Sequence, residues 1–150
     1  FVLDTNTILH TDSVILYIHS NGGEAYAGLS AMDHISNSKV RIVTVADGFV
    51  ASAATFLLLA GQRRYALPHS SILIHQLSTG FWGKYCDLLD EVKNSKALMH
   101  TIRSIYKEKT TMSELTLQNL MKKEISMGCE KCIKWGFVHE MLVSPLDTSA

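Results

Sequence analysis

The chain has 150 residues, 47% of them hydrophobic, and its 14 basic and 14 acidic side chains give a formal net charge of zero. This size and composition predict one domain, residues 1–150, with a substantial hydrophobic core. The balanced charge gives no support for a nucleic-acid partner or an anionic membrane partner. No apolar run approaches the ~20 residues that span a bilayer, so we expect no membrane segment.

The pattern of apolar residues and turn signals predicts ten elements in a repeated β-then-α order, which indicates an α/β fold with mainly parallel strands. Asp87 and Ser113 are the predicted N-caps of two consecutive helices. The tail, residues 143–150, contains Pro145 and small polar residues and is predicted to be loose. In chain order the elements are strand 13–19, helix 24–36, strand 40–46, helix 52–60, strand 63–67, strand 71–75, helices 87–108, 113–122 and 129–135, and strand 137–142.

Residues 46–76 are the most informative segment for function. A glycine turn is predicted at Gly48, and Ser52 follows it at the start of an apolar helix, where backbone N–H groups and the helix dipole favour developing negative charge. His75 lies at the polar end of the strand 71–75, where an imidazole can serve as the base for a nearby hydroxyl. Taken singly, Ser52 reads more simply as an N-cap and His75 as a structural or surface histidine. Together they suggest a serine nucleophile with its general base.

A second glycine turn, Ser20-Asn21-Gly22-Gly23, follows the first strand. It is compatible with an ordinary βα turn, with a site where backbone N–H groups approach a ligand, or with an oxyanion donor near Ser52. The phosphate-cradle interpretation is weak because no G-x-x-x-x-G-K-[ST] pattern is present.

The cysteines and histidines indicate neither a disulfide framework nor a metal centre. Three cysteines, Cys86, Cys129 and Cys132, fit a reducing compartment, either the cytoplasm or an organelle matrix. The lone CxxC of Cys129 and Cys132 lacks two further zinc ligands and is read as a pair of small core residues. No HExxH or other metal spacing involves the histidines, so we predict no metal and no organic cofactor.

At this point the chain resembles the proteolytic subunit of the Clp protease family. The resemblance runs from about Ser13 to Leu142 without an obvious gap. It implies a Clp/crotonase-type α/β spiral of β-β-α units with a protruding handle helix at 87–108, preceded by a substrate-aligning strand within 77–84. It also implies that the family's N-terminal axial segment is missing here. The segments that carry it are YIHSNGG at Tyr17–Gly23, GFVASAAT at Gly48–Thr55, RYALPHS…LIHQL at Arg64–Leu77 and KWGFVHEML at Lys134–Leu142.

Carried over position by position, the resemblance assigns a complete catalytic set. Ser52 matches the family's nucleophile and His75 its general base. The backbone N–H groups of Gly22 and Ala53 match the oxyanion hole, with Gly23 replacing Gly22 if the register is one residue off. Glu124 falls where the family has the third, imidazole-orienting Asp, when counted back from Trp135-Gly136. Substitutions at Asn21, Ala53, Ala54 and Leu77 mark a divergent member.

The function implied by the resemblance is that of a serine endopeptidase enclosed in a chamber. Its subunits would form homo- or hetero-oligomeric heptameric rings, stacked in pairs, and an AAA+ unfoldase would feed them unfolded polypeptides. Two other classes stay open: a catalytically inactive structural subunit of such a ring, and an acyl-CoA enzyme of the crotonase type, which shares the spiral and an oxyanion hole.

Overall fold

A computed structural model describes residues 13–144 and residue 146. Over these residues it confirms the predicted α/β architecture, with six strands and five helices. The strands are β1 (Ser13–Ser20), β2 (Arg41–Ala51), β3 (Arg63–Ala66), β4 (Ser71–Leu73), β5 (Met127–Gly128) and β6 (Glu140–Met141). The helices are α1 (Ala25–Ser36), α2 (Ala54–Ala60), α3 (Tyr85–Lys109), α4 (Glu114–Met121) and α5 (Cys129–Lys134).

The long strand β2 organises a mainly parallel sheet. It pairs with β1 along one side; along the other it pairs first with β3, through Val43–Ala46, and then with β4, through Phe49–Ala51. Strand β6 adds in parallel to β3, and β5 pairs antiparallel with β4. The sheet therefore changes its neighbour halfway along β2, and the second half carries the chain directly into Ser52.

Helix α2 lies in the centre of the core. It is apolar around almost its whole circumference, and a helix of that kind must be covered on every side. Six of its seven residues are buried, and Phe56, Leu58 and Leu59 are at most 2% exposed. Helix α1 packs closely on it at Gly28, where an added Cβ would lie 2.9 Å from the Cβ of Ala53. This packing fixes the helix that follows Ser52.

Helix α3 has two unlike halves. Its C-terminal half packs on the core through Ile102 and Tyr106, which are its buried residues. Its N-terminal half, residues 85–97, which we call the protruding half, exposes large apolar side chains. The most exposed are Tyr85, Leu88, Leu89 and Val92, at 74%, 41%, 44% and 50%. Trp82, just before the helix, is 96% exposed.

Arg64 joins three distant segments of the chain. Its Nε donates to the carbonyl of Phe137 at 2.9 Å, and its Nη2 donates to the carbonyls of Gly136 at 2.9 Å and Lys109 at 3.3 Å. Lys109 is the last residue of α3, so a cation meets the carbonyl end of the helix, where a positive charge is favourable. Partial burial lowers the pKa of Arg64.

Several predicted boundaries are wrong. Strand β2 runs through Gly48 instead of turning there, and α3 begins at Tyr85 with Lys84 as its N-cap. Asp87 is the third helical residue and accepts the N–H of Lys84 at 3.1 Å. The predicted strand within 77–84 is absent, since these described residues form no strand. Ser113 is confirmed as the N-cap of α4, because its side chain accepts from the N–H of Thr116.

At the C-terminus, the predicted strand 137–142 is reduced to the two residues of β6, and the two-residue strand β5 was not predicted. Of the predicted loose tail, residues 145 and 147–150 lie outside the described residues. In the part of the chain that is described, no helix is both long enough and apolar enough to cross a membrane.

Candidate active site

Ser52 lies in a strained turn between β2 and α2. Its φ is 55°, and it is the one non-glycine residue with positive φ in the described range. A side chain in this left-handed region costs of order 1–3 kcal/mol and persists only where the surroundings impose it. Ser52 is not the N-cap of α2, which is Ala53, so the capping interpretation does not hold. The strain indicates an elbow that presents the hydroxyl outward.

The turn is tied to β4. The N–H of Ser52 donates to the carbonyl of Leu73 at 2.9 Å, and Ala51 pairs with Leu73 in the parallel ladder. His75 follows Leu73 by two residues, so this tether brings the imidazole to the same edge of the sheet as the hydroxyl. Both Ser52 and His75 are partly exposed and line one cleft of about 720 Å³.

The hydroxyl and the imidazole share this cleft without a hydrogen bond. Among the described residues, neither the Ser52 Oγ nor a ring nitrogen of His75 has a hydrogen-bond partner. Catalytic hydrogen bonds are often long or poorly aligned in unliganded enzymes and tighten when substrate binds. A hydroxyl and an imidazole therefore line the same cleft, and no other described residue engages either of them.

The glycine turn after β1 packs directly against the elbow. A Cβ on Gly22, whose φ is 93°, would lie 2.6 Å from the carbonyl oxygen of Ala51, 2.7 Å from the Cβ of Ser52 and 3.0 Å from the N of Ala53. Both the φ and the contact distances require glycine at this position. The backbone of this turn is therefore in contact with Ser52.

The two glycines of this turn differ in whether their N–H groups are already hydrogen-bonded. The N–H of Gly22 donates to the Ser20 Oγ at 3.1 Å. Gly23 lines the cleft together with Ala53, whereas Gly22 does not. Within residues 13–144, the N–H groups of Gly23 and Ala53 donate to no protein acceptor. The N–H of Gly22, the expected donor, is therefore engaged within its own turn, whereas Gly23, the alternative at a register shift of one residue, has an unpaired N–H beside the cleft.

Glu124 does not meet His75. It is exposed, it does not line the cleft, and it forms no hydrogen bond or ion pair with any described residue. The segment before it nevertheless lies close to the site in space, because the N–H of Gln76 donates to the carbonyl of Met121 at 2.9 Å. Two other acids are engaged elsewhere or exposed: Asp87 accepts the N–H of Lys84 at the start of α3, and Glu130 is exposed on α5.

The cleft has an apolar floor and a polar rim. Phe56, Leu98, Ile102 and Tyr106 line the floor, and the helix residues Glu91 and Ser95 line the side that α3 forms. The Glu91 Oε1 accepts from the Thr79 Oγ1 at 3.4 Å and from the Ser95 Oγ at 3.3 Å. Glu91 gives no signal in the sequence, because its position in α3 relative to His75 depends on how the helix packs.

A buried hydrogen-bond chain extends behind the elbow. The Thr55 Oγ1 lies 2.6 Å from the carbonyl oxygen of Ser52 and 2.6 Å from the Oη of Tyr106. The two side chains are 0% and 1% exposed. Neither residue gives a signal in the sequence, since they are 51 positions apart and only the packing of α3 on α2 joins them.

The cysteine pair is part of the core. Cys129 and Cys132 are buried and unpaired, and the Cys132 Sγ–H donates to the carbonyl of Met127 at 3.3 Å. Burial raises the pKa of Cys132 to about 12, which keeps this thiol protonated. Residues 13–144 and 146 contain no group of three or more His, Cys, Asp or Glu side chains that could hold a metal ion.

Comparison with known proteins gives matches over most of the chain. The family model described as Clp protease matches residues 2–145. The chain is 35% identical over 129 residues to the ATP-dependent Clp protease proteolytic subunit of Deinococcus radiodurans. That alignment covers 85% of this chain and 63% of the relative, so the chain spans somewhat less than two thirds of the relative's length.

Proposed function

Because the chain belongs to the Clp protease family, we propose that it is a serine endopeptidase subunit that cleaves unfolded polypeptides and short peptides. The observation that carries the proposal is the strained elbow at Ser52, which shares one cleft with His75. A serine that only caps a helix does not require the positive φ of Ser52. A histidine with only a structural role does not require a cleft shared with a serine hydroxyl. A nucleophile and its base account for both.

In the proposed reaction, the Ser52 Oγ attacks the carbonyl carbon of the scissile peptide bond. His75 accepts the hydroxyl proton during the attack and returns it to the leaving amine, which completes acylation of Ser52. Water then attacks the acyl-enzyme with His75 again as base. Each step forms a tetrahedral oxyanion, and backbone donors already aimed at it lower the barrier without reorganisation.

The proposed oxyanion donors are the N–H groups of Gly23 and Ala53. Both line the cleft and both lack a protein acceptor among the described residues. They come from separate segments, the turn after β1 and the elbow after β2, which the close approach of Gly22 to Ser52 holds together. Two converging donors are what an oxyanion hole requires.

Glu124 is the proposed third member, and it must move to act. Its carboxylate would accept from the ring nitrogen of His75 that faces away from Ser52, which would fix the tautomer and stabilise the imidazolium. The segment Lys122–Ser126 that carries it is exposed and begins one residue after Met121, whose carbonyl holds Gln76. We propose that movement of this segment brings Glu124 to His75.

The proposed assembly is a ring of copies of this chain, or of this chain and its homologues, stacked in pairs and fed by an AAA+ unfoldase. The protruding half of α3 supports it, because Tyr85, Leu88, Leu89 and Val92 expose apolar area that no described part of the same chain covers. Contiguous exposed apolar surface on a globular protein usually marks an interface. The heptameric count and the unfoldase rest on family membership alone.

A second candidate is a catalytically inactive ring subunit, and the exposed position of Glu124 favours it. A chain that cannot complete its triad would still assemble and dock partners. The acyl-CoA alternative is less well supported, because that chemistry gives no reason for a strained serine that shares a cleft with a histidine.

Covalent labelling separates these candidates. The purified chain is incubated with a fluorophosphonate probe, and the modified residue is identified by peptide mass spectrometry. We expect modification at Ser52 in the wild type and none in Ser52→Ala or in unfolded protein. A wild type that assembles and binds partners but never labels at Ser52 would replace the proposal with the inactive-subunit alternative.

A further inference from the structure

The hydrogen-bond chain behind the elbow has a fixed direction. A carbonyl oxygen only accepts, so the Thr55 hydroxyl must donate its single proton to the carbonyl of Ser52. The oxygen of Thr55 therefore accepts, and the Tyr106 hydroxyl must donate to it. Burial raises the pKa of Tyr106, so this donor stays protonated.

The carbonyl that receives this chain belongs to the peptide unit between Ser52 and Ala53. It accepts from the Thr55 Oγ1 at 2.6 Å and from the Thr55 N–H at 3.0 Å. In a planar trans peptide the carbonyl and the N–H point to opposite sides. Two bonds that hold the carbonyl of Ser52 towards the interior therefore aim the N–H of Ala53 the other way, towards the cleft.

We propose that Thr55 and Tyr106 are positioning residues that hold the Ser52–Ala53 peptide so that the Ala53 N–H points at the oxyanion. This inference rests on the proposed peptidase function, in which Ala53 supplies one of the two donors. Thr55 acts directly on the peptide unit, and Tyr106 acts through Thr55. Neither side chain touches the substrate carbonyl in this role.

Tyr106 also links the peptide unit to the handle helix. It lies in the C-terminal half of α3, and its ring packs between Phe56 of α2 and Phe137, at centroid distances of 5.8 Å and 6.1 Å. A ring held on both sides has little freedom, so its hydroxyl follows α3. Any displacement of α3 against α2 would therefore move the hydroxyl that Thr55 depends on.

The test compares variants that remove single hydroxyl groups. Thr55→Val keeps the shape of the side chain and removes its donor, Thr55→Ser restores the donor, and Tyr106→Phe removes only the distal hydroxyl. Thr44→Val is a matched control, because the buried Thr44 hydroxyl donates at 2.7 Å to the carbonyl of Leu58, near the other end of α2. Tyr65→Phe, in β3, controls for loss of a tyrosine hydroxyl elsewhere.

The measurements are kcat and KM for a short fluorogenic peptide, together with the midpoint of thermal unfolding. Loss of one oxyanion-hole donor lowers kcat by roughly 100-fold to 1,000-fold, and a donor that points in the wrong direction can lower kcat by up to that factor. We therefore expect Thr55→Val to lower kcat by roughly 10-fold to 100-fold, with KM changed less than about twofold. Tyr106→Phe should lower kcat by a smaller factor, and Thr55→Ser should recover most of the loss.

The controls decide between positioning and mere stability. Thr44→Val should lower the unfolding midpoint as much as Thr55→Val while leaving kcat unchanged. Equal losses of kcat in these two variants, a loss confined to KM, or no recovery in Thr55→Ser would overturn the positioning role. A wild type that labels at Ser52 while Thr55→Val keeps full kcat would overturn this role alone; a wild type that fails to label would overturn the proposed function and this role with it.

Discussion

The elbow at Ser52 and the protruding half of α3 represent two opposite ways of placing residues. At the elbow, Ser52 is fixed by an N–H bond to Leu73, by two bonds from Thr55 to its carbonyl and by backbone packed against Gly22. The protruding half is a regular helix whose apolar side chains face outward, with Leu89 and Val92 about half exposed. The first region is over-determined by the chain itself, and the second is incompletely covered.

This difference separates chemistry from assembly. A strained conformation persists only where the surroundings impose it, so the elbow is set by the fold of one chain. An apolar helix face that is exposed to water is unfavourable in free energy. Burial of that face against a partner surface removes the cost. Changes at the elbow should therefore alter turnover and leave assembly intact, whereas changes on the protruding half should do the reverse.

The largest effect is expected from the nucleophile and its base. Ser52→Ala and His75→Ala should each lower peptide turnover by about 10⁴–10⁶-fold, and the double variant should lose no more than the worse single one. All three should keep the wild-type mass by light scattering. If the two losses multiply in the double variant, Ser52 and His75 do not act in one mechanism.

A smaller loss is expected for Glu124. Its carboxylate acts mainly in the transition state, so Glu124→Gln should lower kcat by about 10²–10⁴-fold with little change in KM. Glu130→Gln, an exposed acid on α5, is the matched control and should leave kcat unchanged. Full activity in Glu124→Gln would mean that the chain works as a Ser–His dyad.

Substitutions in the protruding half should change the mass of the assembly rather than the rate of peptide cleavage. We expect the wild type to sediment far above its 16.7 kDa, and Leu89→Asp to shift it towards the monomer, because a charge would be desolvated at the buried interface. Leu115→Asp, at a leucine of α4 that is 68% exposed, is the control and should keep the wild-type mass. A wild type that is monomeric at micromolar concentration would refute the interface on α3.

The smallest effect is expected for His139, which belongs to neither region. Partial burial, and then the positive charges of Arg64 and Arg63, lower the pKa of His139, and its Nδ1 accepts the N–H of Arg64 at 3.0 Å. The unfolded chain therefore binds more protons near the ordinary histidine pKa of about 6.5. The stabilisation is present above that pH and is lost as the pH falls through the lowered pKa.

Chemical denaturation between pH 8 and pH 5 tests this linkage, because the free energy of unfolding should fall slightly on the acid side. The slope should shrink in His139→Gln and stay unchanged in His100→Gln, an exposed histidine of α3. An identical pH profile for His139→Gln and the wild type would contradict the assignment.

The sequence predicted those parts of the fold that depend on local patterns. Strand β1 and helices α1 and α5 end within one residue of their predicted bounds, because apolar spacing and caps are read from neighbours in the chain. The sequence predicts a turn at Gly48, but in the structure this residue lies within β2. Its positive φ and its lack of a side chain accommodate the ring of His19, which is distant in the chain. A Cβ there would lie 2.6 Å from the Nδ1 of His19, so glycine makes room for that ring inside β2.

The site divides in the same way. Ser52 and His75 could be proposed from motif order, and the parallel pairing of β2 with β4 brings them into one cleft. Asp87 could not be assigned correctly, since an acidic residue suits both the N-cap and the first turn of a helix. Thr55 and Tyr106 gave no local signal, because their contact depends on how α3 packs against α2.

The contacts of Arg64 with later segments of the chain limit how early its surroundings can form during synthesis. Its guanidinium finds its acceptors at Lys109, Gly136 and Phe137, which are 45, 72 and 73 residues further along the chain. During synthesis, β3 therefore leaves the ribosome before the residues whose carbonyls accept from the Arg64 guanidinium have been added. The strands that tether Ser52 precede α3 in the chain, but the contacts of Arg64 with the last segment form only after Gly136 and Phe137 have been added. A chain interrupted before Gly136 would contain Ser52 and His75 but would lack two of the three carbonyls that Arg64 binds beside the end of α3.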